Sequence, residues 1–162
     1  VVSEALLERA RTLASAVCDP ELPALTIADL GVLREVRMQD GAVEVLITPT
    51  YSGCPAMAMI AVEIETALAR GGIDGARVRT VLSPAWTTDW MSEDGRRKLR
   101  ESGIAPPVSG GGRAALFGRE TVACPLCGST DTGVISAFGS TSCKALWRCN
   151  ACREPFDYFK CH

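Results

Sequence analysis

The chain has 162 residues, 47% apolar and 22% charged, with a formal net charge of −2. Those values fit a globular protein with one ordinary domain and a small satellite. The near-neutral balance argues against a nucleic-acid partner or an anionic membrane surface. No apolar run reaches the ~18 residues that span a bilayer, and "VVSEALLERARTLASAV" is amphipathic rather than a basic stretch before an apolar signal core.

In chain order, Ser3 is the expected N-cap of a first helix with Leu6, Ala10, Leu13 and Val17 on one face. Cys18 at its end is expected to be a small core residue. "CDPELPALTIADLG" has turn chemistry, with two prolines and Asp29 close to Gly31. "VLREVRMQDGAVEVLIT" predicts a hairpin closed at Asp40-Gly41, with Val43, Val45 and Ile47 facing inward on its second strand. "TPTYSGCPAMAMI" puts Cys54 where a strand hands over to a helix whose first turn holds Pro55. Ile60, Ile64 and Leu68 stripe that helix and Gly71 ends it. A third strand, "ARVRTVL", and a polar helix capped by Ser92 and running toward Gly103 complete residues 1–103. The expected class is α/β (α+β), with a short, mostly antiparallel sheet and helices.

"SGIAPPVSGGGRAALFGRE" has two prolines, three consecutive glycines and no periodicity, so residues 104–120 read as a linker. Residues 121–162 hold six of the eight cysteines. Cys124/Cys127 and Cys149/Cys152 are two CxxC pairs, each able to turn two thiolates toward one tetrahedral metal. The 21 intervening residues (128–148) slightly exceed the usual ~15–20 for this pattern, as a longer hairpin would allow. Four sulfurs close the site, which predicts a structural Zn²⁺; two disulfides or a redox CxxC are the alternatives. The CxxC spacing and the lack of a signal core favour a reducing, cytoplasmic setting. "TGVISAFG", "KALWR" and "EPFDYF" are the expected strands of a three-stranded zinc ribbon. A unit this small cannot bury enough surface to fold without its metal. With zinc bound, its charge is about −1, too little for a nucleic-acid reader. Trp147, Phe156, Tyr158 and Phe159 are either its core or a face for another protein.

Three thiols remain for chemistry. Amide groups and the helix dipole at a strand-to-helix junction favour a Cys54 thiolate; simple packing is the other reading. Folding back after the second knuckle brings Cys143 opposite Lys160 or Cys161, about 20 Å from the zinc. Cys143 and Cys161 would then be buried residues, a labile disulfide, or a two-thiolate port for iron.

"DPELPALTIADLGVL", "TPTYSGCPAM" and "SPAWTTDWMSEDGRRKL" together resemble the SufT-like metal–sulfur cluster assembly domain family. With "CPLCGS", "FGSTSCKALWRC" and "EPFDYFKC" added, almost the whole chain resembles the D-subunit family of bacterial phenylacetyl-CoA epoxidase systems. The resemblance implies a non-catalytic accessory protein of phenylacetate degradation. Its partners would be the reductase, carrying flavin and a [2Fe-2S] cluster, or the diiron oxygenase. It would help mature an iron or iron–sulfur centre, holding iron or a cluster transiently. The family's reactive cysteine maps onto Cys54, and the acid of its DPE motif onto Asp19, with Glu21 beside it. Pro49 departs from the family's Thr-x-Thr strand end. The competing readings are a zinc-ribbon scaffold without metal transfer and a thiol oxidoreductase; self-association is left open. An independent enzyme is not expected: the only histidine is His162, and no Ser/His/Asp set or phosphate loop is present.

Overall fold

Ala10 and Ala14, four residues apart, give the first helix a small-residue face that is fully buried in the computed structural model of the chain. Residues 2–108 and 120–160 are described. Helix α1 (Val2–Ser15) already contains Ser3, so that residue lies in the first turn and is not the N-cap expected from sequence. By its contacts the chain divides into two units, Val1–Trp86 and Thr87–His162.

In the first unit, β1 (Leu33–Gln39) and β2 (Ala42–Ile47) pair antiparallel. Asp40 (φ 51°) and Gly41 (φ 78°) between them are both left-handed, as a type I′ turn requires. Strand β2 ends at Ile47, two residues before Pro49, which has no N–H to extend a ladder. Helix α2 (Ala56–Arg70) follows and leads to β3 (Arg77–Thr80), which pairs parallel to β2. The sheet order β1-β2-β3 is therefore mixed, and α2 is the crossover that a parallel pair needs. Ile60, Ile64 and Leu68 on α2 join Ile27, Leu30, Val45 and Ile47 in the core, all at most 1% exposed. Each contributes about 1.5–3 kcal/mol by leaving water. Gly71 serves the approach of α1 to α2: a Cβ there would lie 2.2 Å from Leu13 Cδ1. The left-handed turn that redirects the chain is at Gly72 (φ 78°), one residue later than expected.

In the second unit, α3 (Glu93–Glu101) is capped by Ser92, whose Oγ accepts the Gly95 N–H at 2.9 Å. A four-stranded sheet follows, built from β4 (Ile104–Ala105), β5 (Thr132–Ser136), β6 (Lys144–Cys149) and β7 (Pro155–Phe159) in the order β4-β7-β6-β5. The last three are the expected ribbon. Strand β4 is an addition, pairing Ile104 and Ala105 parallel to Asp157 and Tyr158. The composition change near residue 103 therefore differs from the division by contacts, which assigns α3 and β4 to the ribbon's unit. Of the linker expected over 104–120, residues 109–119 lie outside the described residues.

Trp147, Phe156, Tyr158 and Phe159 are all under 5% exposed, which resolves their two readings in favour of core. Trp147 meets Tyr158 edge-to-face with ring centroids 5.6 Å apart. The buried Arg96 on α3 donates to the carbonyls of Pro107 (2.6 Å) and Thr88 (2.7 Å), tying the segments on either side of the helix to it. Arg96→Met should keep the aliphatic packing but strip both carbonyls of their donor, at roughly 2–3 kcal/mol. Native-state hydrogen exchange should then show faster exchange in residues 88–107 and unchanged exchange in β1 and β2.

Candidate functional site

The four ribbon cysteines come from two turns of similar construction. Gly128 (φ 78°) bends the first, where the Gly128 N–H reaches the Cys124 carbonyl (2.8 Å) and the Cys124 N–H reaches the Ser129 carbonyl (2.9 Å). In the second, the Cys149 N–H donates to the Glu154 carbonyl (3.0 Å), and Arg153, at φ 68°, takes the left-handed place. The four Sγ atoms of Cys124, Cys127, Cys149 and Cys152 lie within 4.8 Å of one another. Cys124 to Cys152 is 3.8 Å and Cys127 to Cys149 is 3.6 Å. Those separations are far beyond a disulfide and close to the edge of about 3.8 Å of a tetrahedron with 2.3 Å metal–sulfur bonds. The Cys152 amide, directed at Cys149 Sγ, is the chief cause that lowers this thiol to about 7. Although the Glu154 amide opposes it, burial and the sulfurs of Cys149, Cys127 and Cys124 push Cys152 up to about 12. A divalent cation is the counter-charge this set calls for.

Cys54 stands in the first unit at the turn before α2, its N–H bonded to the Tyr51 carbonyl at 3.1 Å. The thiol is partly exposed. The helix-terminal donor expected from sequence is there, as the Ala56 amide, and the Tyr51 side chain bonds the sulfur as well. Neither decides the balance. Burial, followed in effect by the charges of Glu21 and Asp19, holds the Cys54 thiol above its ordinary range. The direction is opposite to the one the helix start alone favours: burial and the two carboxylates weigh against the thiolate.

Asp19 is 8% exposed, and its Oδ1 accepts the amides of Glu21 (2.8 Å) and Leu22 (2.9 Å). This Asx-type turn fixes the "DPEL" loop and with it the position of Glu21. Asp29 makes a second local box, accepting from the Thr26 amide while the Thr26 hydroxyl accepts from its own. Trp86 Nε1 closes the loop by donating to the Leu30 carbonyl at 2.8 Å. Asp19 and Glu21, from a separate stretch of sequence, are thus held where their charges act on Cys54. Sequence reasoning missed Tyr51, which stands three residues before Cys54 in a glycine-containing turn. It also missed Thr48, a 2%-exposed residue at the end of β2 whose hydroxyl has no hydrogen-bond partner among the described residues.

Two other expectations change or lie outside the structure. Cys18 is exposed rather than core: past the end of α1 at Ser15 it bridges to Thr26 in extended chain, where Val17 and Asp19 on either side are the buried residues. It lines a cleft of about 600 Å³ with Asp19, Met59 and Glu63. Cys143 is buried, its Sγ 3.0 Å from Thr141 Oγ1, and its carbonyl accepts the Lys160 N–H at 2.9 Å. Its expected neighbour Cys161 lies outside the described residues.

Residues 8–83 match the family of iron–sulfur cluster assembly proteins, and residues 109–160 match the PaaD zinc beta ribbon domain. The first match is mirrored in structure by a domain of unknown function, DUF59, from Bacillus anthracis. It shares 26% identity at a TM-score of 0.56, covering 60% of this chain and 94% of that one. An "Fe-S protein maturation auxiliary factor", YitW of Bacillus subtilis strain 168, is 37% identical over 56% of this chain and 90% of its own length. Both regions together are matched by an Escherichia coli K12 protein that is named as the putative D-subunit of 1,2-phenylacetyl-CoA epoxidase. It is 50% identical over 92% of this chain and 89% of its own. The chain belongs to this D-subunit family, in which a cluster assembly domain is joined to a zinc ribbon. Among the described residues, no helix is long and apolar enough to cross a membrane.

The raised Cys54 thiol predicts reactivity with a definite sign. A raised value means less thiolate at any pH below the midpoint, so alkylation of the Cys54 peptide by iodoacetamide should titrate above the ordinary cysteine range. Glu21→Gln removes one of the two opposing charges and should shift that midpoint down, giving faster alkylation at pH 8. A midpoint at or below the ordinary value in the parent protein would contradict the arrangement.

Proposed function

We propose that the protein is a non-catalytic accessory component of a phenylacetyl-CoA epoxidase system that assists maturation of an iron or iron–sulfur centre in another component. Cys54 is the residue that handles the metal. The observation that carries this reading is that a partly exposed Cys54 thiol just before α2 feels the charges of Glu21 and Asp19 from the fixed DPEL loop. Two carboxylates beside a protonated thiol attract a cation, and the arriving cation displaces the proton: the S–H bond breaks, a sulfur–iron bond forms, and H⁺ leaves to solvent. The Ala56 amide and Tyr51 then stabilise the sulfur's negative charge, and protonation of Cys54 helps release the iron to a better ligand set. Iron or a cluster is cargo in this scheme, held only between loading and delivery.

The ribbon has a different task. Its four sulfurs fit Zn²⁺ with no open position, so the zinc holds the ribbon together and takes no part in transfer. Cys143, buried against Thr141, needs no transfer role in this reading. A thiol oxidoreductase is disfavoured because both CxxC pairs are committed to one four-sulfur cluster.

Cys54→Ser should change stability by under about 1 kcal/mol and leave zinc content at one per chain, yet abolish support of epoxidase activity. Iron and sulfide in the reductase and iron in the oxygenase, each produced with parent or variant protein, identify the centre served. A Cys54→Ser protein that supports full loading of both would sink the proposal. Cys124→Ser or Cys152→Ser should lose the zinc and the ribbon's native spectrum together, because metal binding and folding are linked in a unit this small.

A further inference from the structure

The two outer edges of the ribbon sheet are treated differently. On one side β4 covers β7; on the other, no strand pairs with the outer edge of β5 among the described residues. Strand β5 reads "TGVIS", with no charge and no proline, two of the devices that discourage another strand from adding to an edge; a bulge is its only one. A register shift between Val134 and Ser136 makes Ile135 an extra residue on this strand, and alternation is lost. Val134 and Ile135 are consecutively exposed, at 51% and 55%. Phe138 just beyond is 60% exposed and held in place by the Lys160 ammonium, 4.0 Å from its ring centroid. Three apolar side chains therefore line an edge that no described strand covers.

The same edge carries a charge pattern. Gly133 stands directly opposite Arg148, and a Cβ on Gly133 would have no heavy atom within 4 Å. The space this leaves is a hollow of about 180 Å³ lined by Gly133, Val134, Ile135, Arg148 and Asn150. A second hollow of about 360 Å³ is lined by Arg148, Asn150 and Arg153. Arg148 donates to Asn150 Oδ1 at 3.3 Å, and Asn150 is itself held by Asp131 at 2.8 Å. Among the described residues neither arginine forms an ion pair with a carboxylate.

We propose that the free edge of β5 binds an extended segment of another epoxidase component, which adds as a strand and sets a carboxylate over Gly133 for Arg148 and Arg153. The proposal rests on the accessory-protein reading but not on the chemistry of Cys54. Strand spacing puts the backbone of an added strand about 10 Å from β6. A Glu or Asp on the added strand can meet Arg148 only if the residue between them is small, and Gly133 is that residue. The apolar neighbours of the carboxylate would cover Val134, Ile135 and Phe138. A second copy of this chain is a poor occupant: its own β5, TGVIS, has no carboxylate to set over Gly133 for Arg148 and Arg153.

The test is binding of the full-length, zinc-loaded chain to each of the other purified epoxidase components, by biolayer interferometry at low and high salt. One component should bind, more weakly as salt rises. Ile135→Lys and the double variant Arg148→Glu/Arg153→Glu should each reduce affinity about ten-fold or more while keeping one zinc and a native spectrum. Cys54→Ser should bind like the parent. Parent-like binding by both edge variants overturns the proposal, as does absence of binding to every component. A homodimer that the edge variants dissociate also overturns it, assigning the edge to self-association. Loss of binding in the edge variants with a fully active Cys54→Ser protein would uphold the docking surface and reject only the transfer role of Cys54.

Discussion

Four sulfur atoms within 4.8 Å of one another are the constraint on which the smaller half of this molecule depends. Thiols crowded in this way cannot all ionise unless a cation joins them, and the chain around them contains little else that could hold a fold together. Two of the four, Cys124 and Cys149, are themselves part of the hydrophobic cluster that contains Trp147, Phe156 and Tyr158. Metal and core are therefore one structure. An ion bound there would fix the two turns, and the turns lead into β6 and β7, whose register sets which side chains lie at the sheet's edge.

The first unit surrounds Cys54 in the opposite way. Where the ribbon surrounds its thiols with one another, Cys54 is given two carboxylates and only a few donors. In the proposed role, a site that passes a metal on must bind it loosely enough to lose it, and fewer sulfurs serve that end. Asp19 is the residue that anchors the loop. Its carboxylate is occupied by the amides of Glu21 and Leu22, so the loop stays in shape while the charge still reaches the thiol.

Much of this was legible in the sequence where the cause is local. Two CxxC pairs dictate a four-sulfur site by spacing, Asp40-Gly41 dictates its turn, and Ile60, Ile64 and Leu68 dictate a buried stripe. Cys54 before Pro55 marked a strand-to-helix junction. What escaped was whatever depends on residues distant in sequence. The state of Cys54 is set by burial and by acids more than thirty positions earlier, which no reading of the helix start could weigh. Strand β4 is two residues long and has no pattern of its own; only β7 makes it a strand. Arg153 occupies a left-handed position that sequence rules reserve for glycine, as the first turn does use at Gly128. Cys18 looked like core because its helix was read two residues too long.

Strand β4 has a consequence for how the chain can be divided. The stretch that begins at Ile104 looks, from its prolines and glycines, like a tether between two independent bodies. Its first two residues instead cap the flank of β7, whose amides and carbonyls would otherwise be offered to any passing strand. A ribbon excised at residue 121 would keep all its metal ligands but lose β4, leaving that flank of β7 open to another strand. The fragment with both of its outer strands in place therefore begins no later than Ile104, upstream of every zinc ligand.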